Sequence, residues 1–327
     1  MLELLSGAIA LVIVLLIMPG FIRFMKERGM IQPGYDLGPD SFKKKEKPPN
    51  MGGLVIALAV LITTLLISQI SGSVNIVLLL MVSALGGLAI GFTDDFIKDV
   101  KHHHDGLKPR YKLIGQTAVG LVFSLLAANL LGTAIHLPFT SVTFELAYAY
   151  VPLMTLLYVF MTNSANLQDG VDGLMSSVTM AGSAALGAIA VIIHGGSIGD
   201  SSIAYACFAL TGACLGFLFF NQHPAKIFMG DTGSMFIGGL LTGAAILLRL
   251  QLWLLPLCFT MILSSLSVIA QRLYFKSTGG KRLIRMSPVH HHFEMIGWSE
   301  NVIARRYTLA VILLSLAAAL AAIPIAP

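Results

Sequence analysis

Charge is what this chain most lacks. Only 11% of its 327 residues are Asp, Glu, Lys or Arg, against 56% hydrophobic and a mean hydropathy of +0.83. That balance excludes an ordinary water-soluble domain and predicts an integral membrane protein. Cysteine is scarce as well: Cys207, Cys214 and Cys258 each lie inside an apolar run, which excludes a disulfide framework and makes them small core residues. The start, Met1-Leu2-Glu3, has no basic lead, and no small-residue cleavage site follows the first apolar run, so a retained first span is expected in place of a signal peptide. Tandem repeats and low-complexity tails are missing, and residues 1–327 read as a single polytopic membrane domain.

A spanning helix needs about 20 apolar residues, and ten such runs are present, at 2–22, 52–70, 75–93, 112–131, 148–165, 174–194, 201–220, 234–249, 252–271 and 306–326. The expected architecture is all-α, with about ten transmembrane helices. The run 234–249 is short, and Gly238, Gly239 and Gly243 within it predict close packing against neighbouring helices. Of the 21 Lys and Arg residues, only Arg249 falls on the face opposite the rest. By the positive-inside rule the crowded face is cytoplasmic and both termini are extracytoplasmic. The run Lys43-Lys44-Lys45-Glu46-Lys47 on that face also suits anionic lipid headgroups of the bilayer, and no nucleic acid partner is expected.

Four polar clusters interrupt this apolar background, all on the expected cytoplasmic side. The first is Asp94-Asp95-Phe96-Ile97-Lys98 at the end of the third run. Adjacent aspartates at a membrane edge oppose each other's ionisation unless a cation neutralises them. If the helix continues through this stretch, Lys98 follows Asp94 by four residues and Asp95 by three, giving one face that suits a metal and a phosphate together; a solvated helix end with an ion pair would use the same residues. In the second cluster, Asn163 to Gly173, Asn166, Asp169 and Asp172 recur every three residues, so a helical or 3₁₀ turn brings them to one side. Gly170 and Gly173 there let a ligand approach the backbone. Such a ladder suits a base, a ribose or a metal-bound water, and also a capped helix end.

The third cluster runs from Phe220 and Asn221 through Phe228 to Ser234, with Asp231, Thr232 and Ser234 at the start of the eighth run. A helix N-terminus favours phosphate. A carboxylate there makes sense if it brings Mg²⁺, whose ligands are carboxylates and substrate phosphate oxygens; the other reading is that Asp231 caps its helix. The fourth is His290-His291-His292-Phe293-Glu294, where three consecutive histidines do not converge on one metal from a regular element and better serve a diphosphate.

In this order the clusters resemble the polyprenyl-phosphate N-acetylhexosamine-1-phosphate transferase family, and within it most closely the members that transfer phospho-N-acetylmuramoyl-pentapeptide. The resemblance covers essentially the whole chain. The family's DDxxK matches Asp94 to Lys98, its NLTDGLDGL matches Asn166 to Leu174, its FMGDTGS is identical to Phe228 to Ser234, and its HHHFE to His290 to Glu294. There are two departures: Lys47-Pro48-Pro49-Asn50-Met51-Gly52-Gly53 stands where the family commonly has GTPTMGG, and Gln168 replaces a threonine.

The resemblance implies a Mg²⁺-dependent enzyme of the bacterial cytoplasmic membrane, a homodimer, with its cleft on the cytoplasmic face. The donor would be UDP-MurNAc-pentapeptide, the acceptor undecaprenyl phosphate, and the products UMP and lipid I. The expected catalytic residues are Asp94, Asp95, Lys98 and Asp231. Asp231, with Asp94 and Asp95, would hold the metal, and Lys98 a phosphate. Asn166, Asp169 and Asp172, with Phe228 and Gln271, would surround uracil and ribose, and Asn163, Gly170 and Asn221 would also bind substrate. His290, His291 and His292 would face the diphosphate or sugar, and Lys45 is carried over from the basic loop. The rival readings are a GlcNAc-1-phosphate transferase, against which the histidine block speaks, and a cation-coupled transporter, whose acids would sit near the bilayer midplane and not at helix ends.

Overall fold

The structure is a computed structural model describing residues 1–29, 48–71, 74–99, 106–193 and 202–325; Lys45 lies outside them. Among the described residues the α-helices are α1 (Leu2–Glu27), α2 (Gly53–Ser71), α3 (Val74–Asp99), α4 (Pro109–Leu131), α5 (Tyr150–Gln168), α6 (Leu174–Ile193), α7 (Ser202–Asn221), α8 (Gly230–Leu247), α9 (Leu254–Leu257), α10 (Phe259–Ser277), α11 (Val289–Met295) and α12 (Glu300–Ala322). A hairpin of β1 (Ala134–His136) and β2 (Thr143–Glu145), antiparallel with Ile135 opposite Phe144, joins α4 to α5.

Among the described residues seven helices are long and apolar enough to cross a membrane: α1, α2, α3, α4, α6, α7 and α12. A bent pair makes an eighth if it counts as one span. The chain is therefore a multi-pass helical membrane protein. The expected runs 148–165 and 234–249 do form helices, α5 and α8, but Asn163, Asn166 and Gln168 in one and Asp231 and its glycines in the other make them less apolar. The expected run 252–271 is broken in two: Gln251–Leu257 and Phe259–Ser277 meet at 86°. As expected, Cys207, Cys214 and Cys258 are free and buried.

At the centre stands α8, every residue of which is buried except Asp231. A helix apolar all round belongs inside a bundle, and small residues let its neighbours close in. A Cβ on Gly87 of α3 would lie 2.3 Å from the Met235 carbonyl oxygen, and one on Gly91 only 2.1 Å from that of Asp231. On the α8 side, Gly239 faces the Ser83 carbonyl oxygen, where a Cβ would sit 2.6 Å away, and Gly238 faces Thr162 and Ala165 of α5. The packing predicted for the 234–249 glycines is thus observed. Polar bonds brace the same seam: Ser83 Oγ donates to the Gly239 carbonyl at 2.7 Å, and Tyr158 Oη donates to the Ser83 carbonyl at 2.9 Å.

Because backbone, and not a flexible side chain, faces Gly91, the contact cannot yield cheaply. Gly91→Ala is expected to cost on the order of 1–3 kcal/mol, seen as a lower thermal unfolding midpoint in detergent. Gly20→Ala, on α1 where an added Cβ meets nothing within 4 Å, should leave the midpoint unchanged or slightly raised.

Candidate active site

Helix α3 does continue through the aspartate pair to Asp99, and this carries Asp95 under the head of α8. No side chain of α8 itself caps its N-terminus. Instead Asp95 Oδ2 accepts from the Thr232 amide at 2.8 Å and the Thr232 hydroxyl at 2.6 Å, while Oδ1 accepts from the Asp231 amide at 3.2 Å. Asn50 Nδ2 adds a bond to Asp95 Oδ1 at 3.3 Å and one to Asp99 Oδ2 at 2.9 Å. A carboxylate at free helix N–H groups is favoured by both hydrogen bonding and the helix dipole. Asp95 thus holds α8 against α3, and its buried neighbour Asp94 turns to Lys98.

That neighbour belongs to the cluster around Asp231. Lys98 pairs with Asp94 one turn back and reaches Asp231 Oδ2 at 3.1 Å. Lys112, near the start of α4, reaches the same oxygen at 2.9 Å. Asn166 Nδ2 donates to Asp231 Oδ1 at 2.6 Å and to Ser234 Oγ at 3.1 Å, and its own oxygen accepts from Lys112 at 3.3 Å. Asp94 Oδ1 accepts the Leu107 amide at 3.0 Å. Carboxylate oxygens of Asp94, Asp95 and Asp231 all lie within 4.8 Å of one another. As a donor set this fits a hard divalent cation, with a division of labour: Asp95 is saturated by its capping bonds, whereas Asp94 and Asp231 are paired mainly with lysines that can transfer to a phosphate.

Beside this cluster the loop after α5 carries Asp169 and Gly170. Asp169 is half-buried at the surface, yet desolvation, followed by the like charges of Asp231, Asp95 and Asp172, pushes its carboxyl up to about 8. The glycine is pressed by imidazoles: a Cβ on Gly170 would lie 2.7 Å from His290 Nε2 and 2.9 Å from His291 Nε2. His291 pairs with Glu294 through Nδ1, and His292 Nδ1 accepts the Arg285 amide at 3.3 Å. His290 is fully buried. Since the Ser264 hydroxyl donates to Gln168, the 3.4 Å contact between Ser264 and His290 has Nδ1–H as its donor, leaving Nε2 bare beside Gly170. Burial, and then neighbouring His291, hold the His290 imidazole down at about 3.

The remaining expected residues are placed elsewhere. Asp172 turns to His223 and Glu300. Asn221 is a buried tie: its Oδ1 accepts from the Gly173 amide and the Ser176 hydroxyl, and its Nδ2 donates to the Ile227 carbonyl. Asn163 Nδ2 bridges to Gln116 of α4 at 3.0 Å. Gln271 Oε1 holds the amides of Leu283 and Ile284, each at 3.0 Å, and so folds back the loop that follows α10. Phe228 is half-buried, and its backbone pairs with Pro49 and Gly52. Lys112, Asn50 and Thr232 are participants that sequence reasoning missed as site residues. The signal for Asn50 was its place among the departures, and for Lys112 its position just inside a helix opened by Pro109.

Comparison with known proteins follows the same lines. Residues 76–249 match the model of glycosyl transferase family 4. The chain is 42% identical over 295 residues to the phospho-N-acetylmuramoyl-pentapeptide-transferase of Geobacillus sp. (strain WCH70), covering 89% of each chain. It is 43% identical over 284 residues to the protein of that name from Shouchella clausii (strain KSM-K16), covering 86% of each. A third, from Halalkalibacterium halodurans, is 40% identical over 317 residues and covers 96% of each.

The buried histidine makes stability pH-dependent. An unfolded imidazole takes its proton near 6.5 and this one only near 3, so protons favour the unfolded chain. The contribution is full above pH 6.5 and is lost as pH falls from there toward 3. Between about pH 7 and pH 5, the unfolding midpoint of wild type should fall more than that of His290→Gln, measured by thermal denaturation in detergent.

Proposed function

The chain belongs to glycosyl transferase family 4, and from that premise we propose how its cleft works. It is an enzyme that transfers phospho-MurNAc-pentapeptide from UDP-MurNAc-pentapeptide to undecaprenyl phosphate, giving lipid I and UMP in peptidoglycan synthesis. An oxygen of the lipid phosphate forms a bond to the phosphorus attached to the sugar, and the bond from that phosphorus to UMP breaks. Such a transfer asks the protein to neutralise charge and align two anions. The observation that carries the reading is the meeting of Lys98 and Lys112 on Asp231 Oδ2 beside Asp94, because two cations held by exchangeable carboxylate partners are what bringing two phosphates together requires.

The roles follow from the contacts. Lys98 and Lys112 transfer from Asp231 and Asp94 to phosphate oxygens as the reactants enter. Asn166 holds Asp231 in position from the side. Asp94 orients the lipid phosphate, which needs little help from a base, since a phosphate monoester has a second pKa near about 6 and is largely dianionic at neutral pH. Asp94 and Asp231 would hold Mg²⁺, which, when bound, supplies further neutralisation of the diphosphate and of the departing UMP. Asp169 and the bare backbone at Gly170, with Phe228, face the nucleotide, and His290 and His291 crowd the donor side of Gly170. The one-sided basic residues support a cytoplasmic cleft in a bacterial inner membrane, with both termini outside and α5 and α8 completing ten spans.

The test is UMP release by detergent-purified protein given UDP-MurNAc-pentapeptide, undecaprenyl phosphate and Mg²⁺. Asp231→Asn and Lys112→Ala should each lower the rate by about 10²–10³, and chelation should abolish it. Release from UDP-GlcNAc and not from the pentapeptide donor would overturn the substrate assignment. Stoichiometric UMP release before acceptor is added would show a covalent route in place of direct transfer.

A further inference from the structure

Away from the Asp231 cluster, three segments distant in sequence bring a second set of donor atoms together. Asp172 comes from the loop after α5, His223 from the loop after α7, and Glu300 from the first residue of α12. His223 Nδ1 lies 3.0 Å from Asp172 Oδ2 and 3.1 Å from Glu300 Oε1, and one ligand atom from each residue falls within 4.8 Å of the other two. A single imidazole N–H is therefore forked between two carboxylates that would otherwise repel each other. We propose that this is a second cation site, for a borderline transition-metal ion of the Zn²⁺ class, in which the metal takes the place of that shared proton.

Distance and chemistry both support the assignment. Metal–ligand bonds of about 2.0–2.2 Å set the ligand atoms of a tetrahedral zinc site roughly 3.3 Å apart, close to the two separations found. An imidazole with two carboxylates suits zinc, cobalt or nickel better than magnesium, which prefers oxygen and water. The carboxylates are also fixed by backbone amides: Asp172 Oδ2, the oxygen facing His223, accepts from Ala225 at 3.0 Å, and Glu300 is held from behind, its Oε2 accepting from the Asp172 amide at 2.9 Å. Outer bonds of this kind fix ligand orientation before a metal arrives. The side chains of Asp172 and Glu300 are each 15% exposed and that of His223 37%, which leaves an approach from solvent and a position for water. A bound ion would tie the start of α12 to the loops after α5 and α7, on the flank of the segment that carries Asp169 and Gly170.

Equilibrium dialysis of the metal-stripped full-length protein in detergent against Zn²⁺ tests this without reference to turnover. Wild type should take up one equivalent with excess Mg²⁺ present. His223→Gln and Glu300→Gln should each weaken that uptake roughly 10–100-fold or more, while Asp231→Asn keeps it. Failure of wild type to bind saturably would overturn the site. Unchanged uptake in both variants would do the same, placing the ion at His290 to His292 or at the Asp231 cluster. Should either variant lose the metal-free unfolding midpoint of wild type, Co²⁺ in wild type decides: intense visible absorption of a four- or five-coordinate ion supports the site, and a weak octahedral spectrum rejects it.

Discussion

The Asp95 carboxylate beneath the head of α8 is the contact on which the cleft depends. A helix buried all round has nowhere to send the free N–H groups of its first turn, and water does not reach them. A carboxylate from a neighbouring helix answers that need. It can do so only because Gly87 and Gly91 let α3 approach to backbone contact. Capping, packing and site geometry are therefore one arrangement. The adjacent aspartates divide between them, Asp95 capping α8 and Asp94 pairing with Lys98.

The second consequence is electrostatic. Asp231 is the one residue of α8 that is not buried, and it meets Lys98 from α3 and Lys112 from α4. Each ion pair is partly shielded from water, so it is neither worthless, as an exposed pair is, nor as costly as a charge locked in a dry core. Such pairs can exchange partners. Asp169 is raised first by burial and then by the like charges around it, with no lysine within bonding distance among the described contacts.

Much of this was legible in the sequence. The apolar runs gave the helices, the short glycine-bearing run gave the tight central packing, and the spacing of Asp94 and Lys98 gave the one-turn ion pair. What periodicity does not encode is which distant segment answers which. Lys112 read as one more basic loop residue until α4 laid it against α8. Asn50 read only as a departure from a motif. Asn166, Asp169 and Asp172, equally spaced, part company because the chain leaves the helix at Gln168: Asn166 stays with Asp231, while Asp172 turns to His223 and Glu300. Asn221 and Gln271 are polar residues of the expected kind that spend their bonds on loops. The bend at Cys258 has no periodic mark, since both halves are apolar, and its one sequence signal is Pro256 just before it.

The enclosed position of α8 has a bearing on how the protein could escape an inhibitor. A compound anchored on Asp231 and the backbone around it rests against residues for which few substitutions are tolerated: Gly91 has no room for a methyl group, and Asp95 and Thr232 together cap the helix that carries Asp231. A compound anchored on the rim, at the exposed residues Gln222, Pro224 and Lys226, rests on a loop whose side chains can be exchanged without moving a helix. Resistance should therefore arise more readily against the second kind of molecule than against the first.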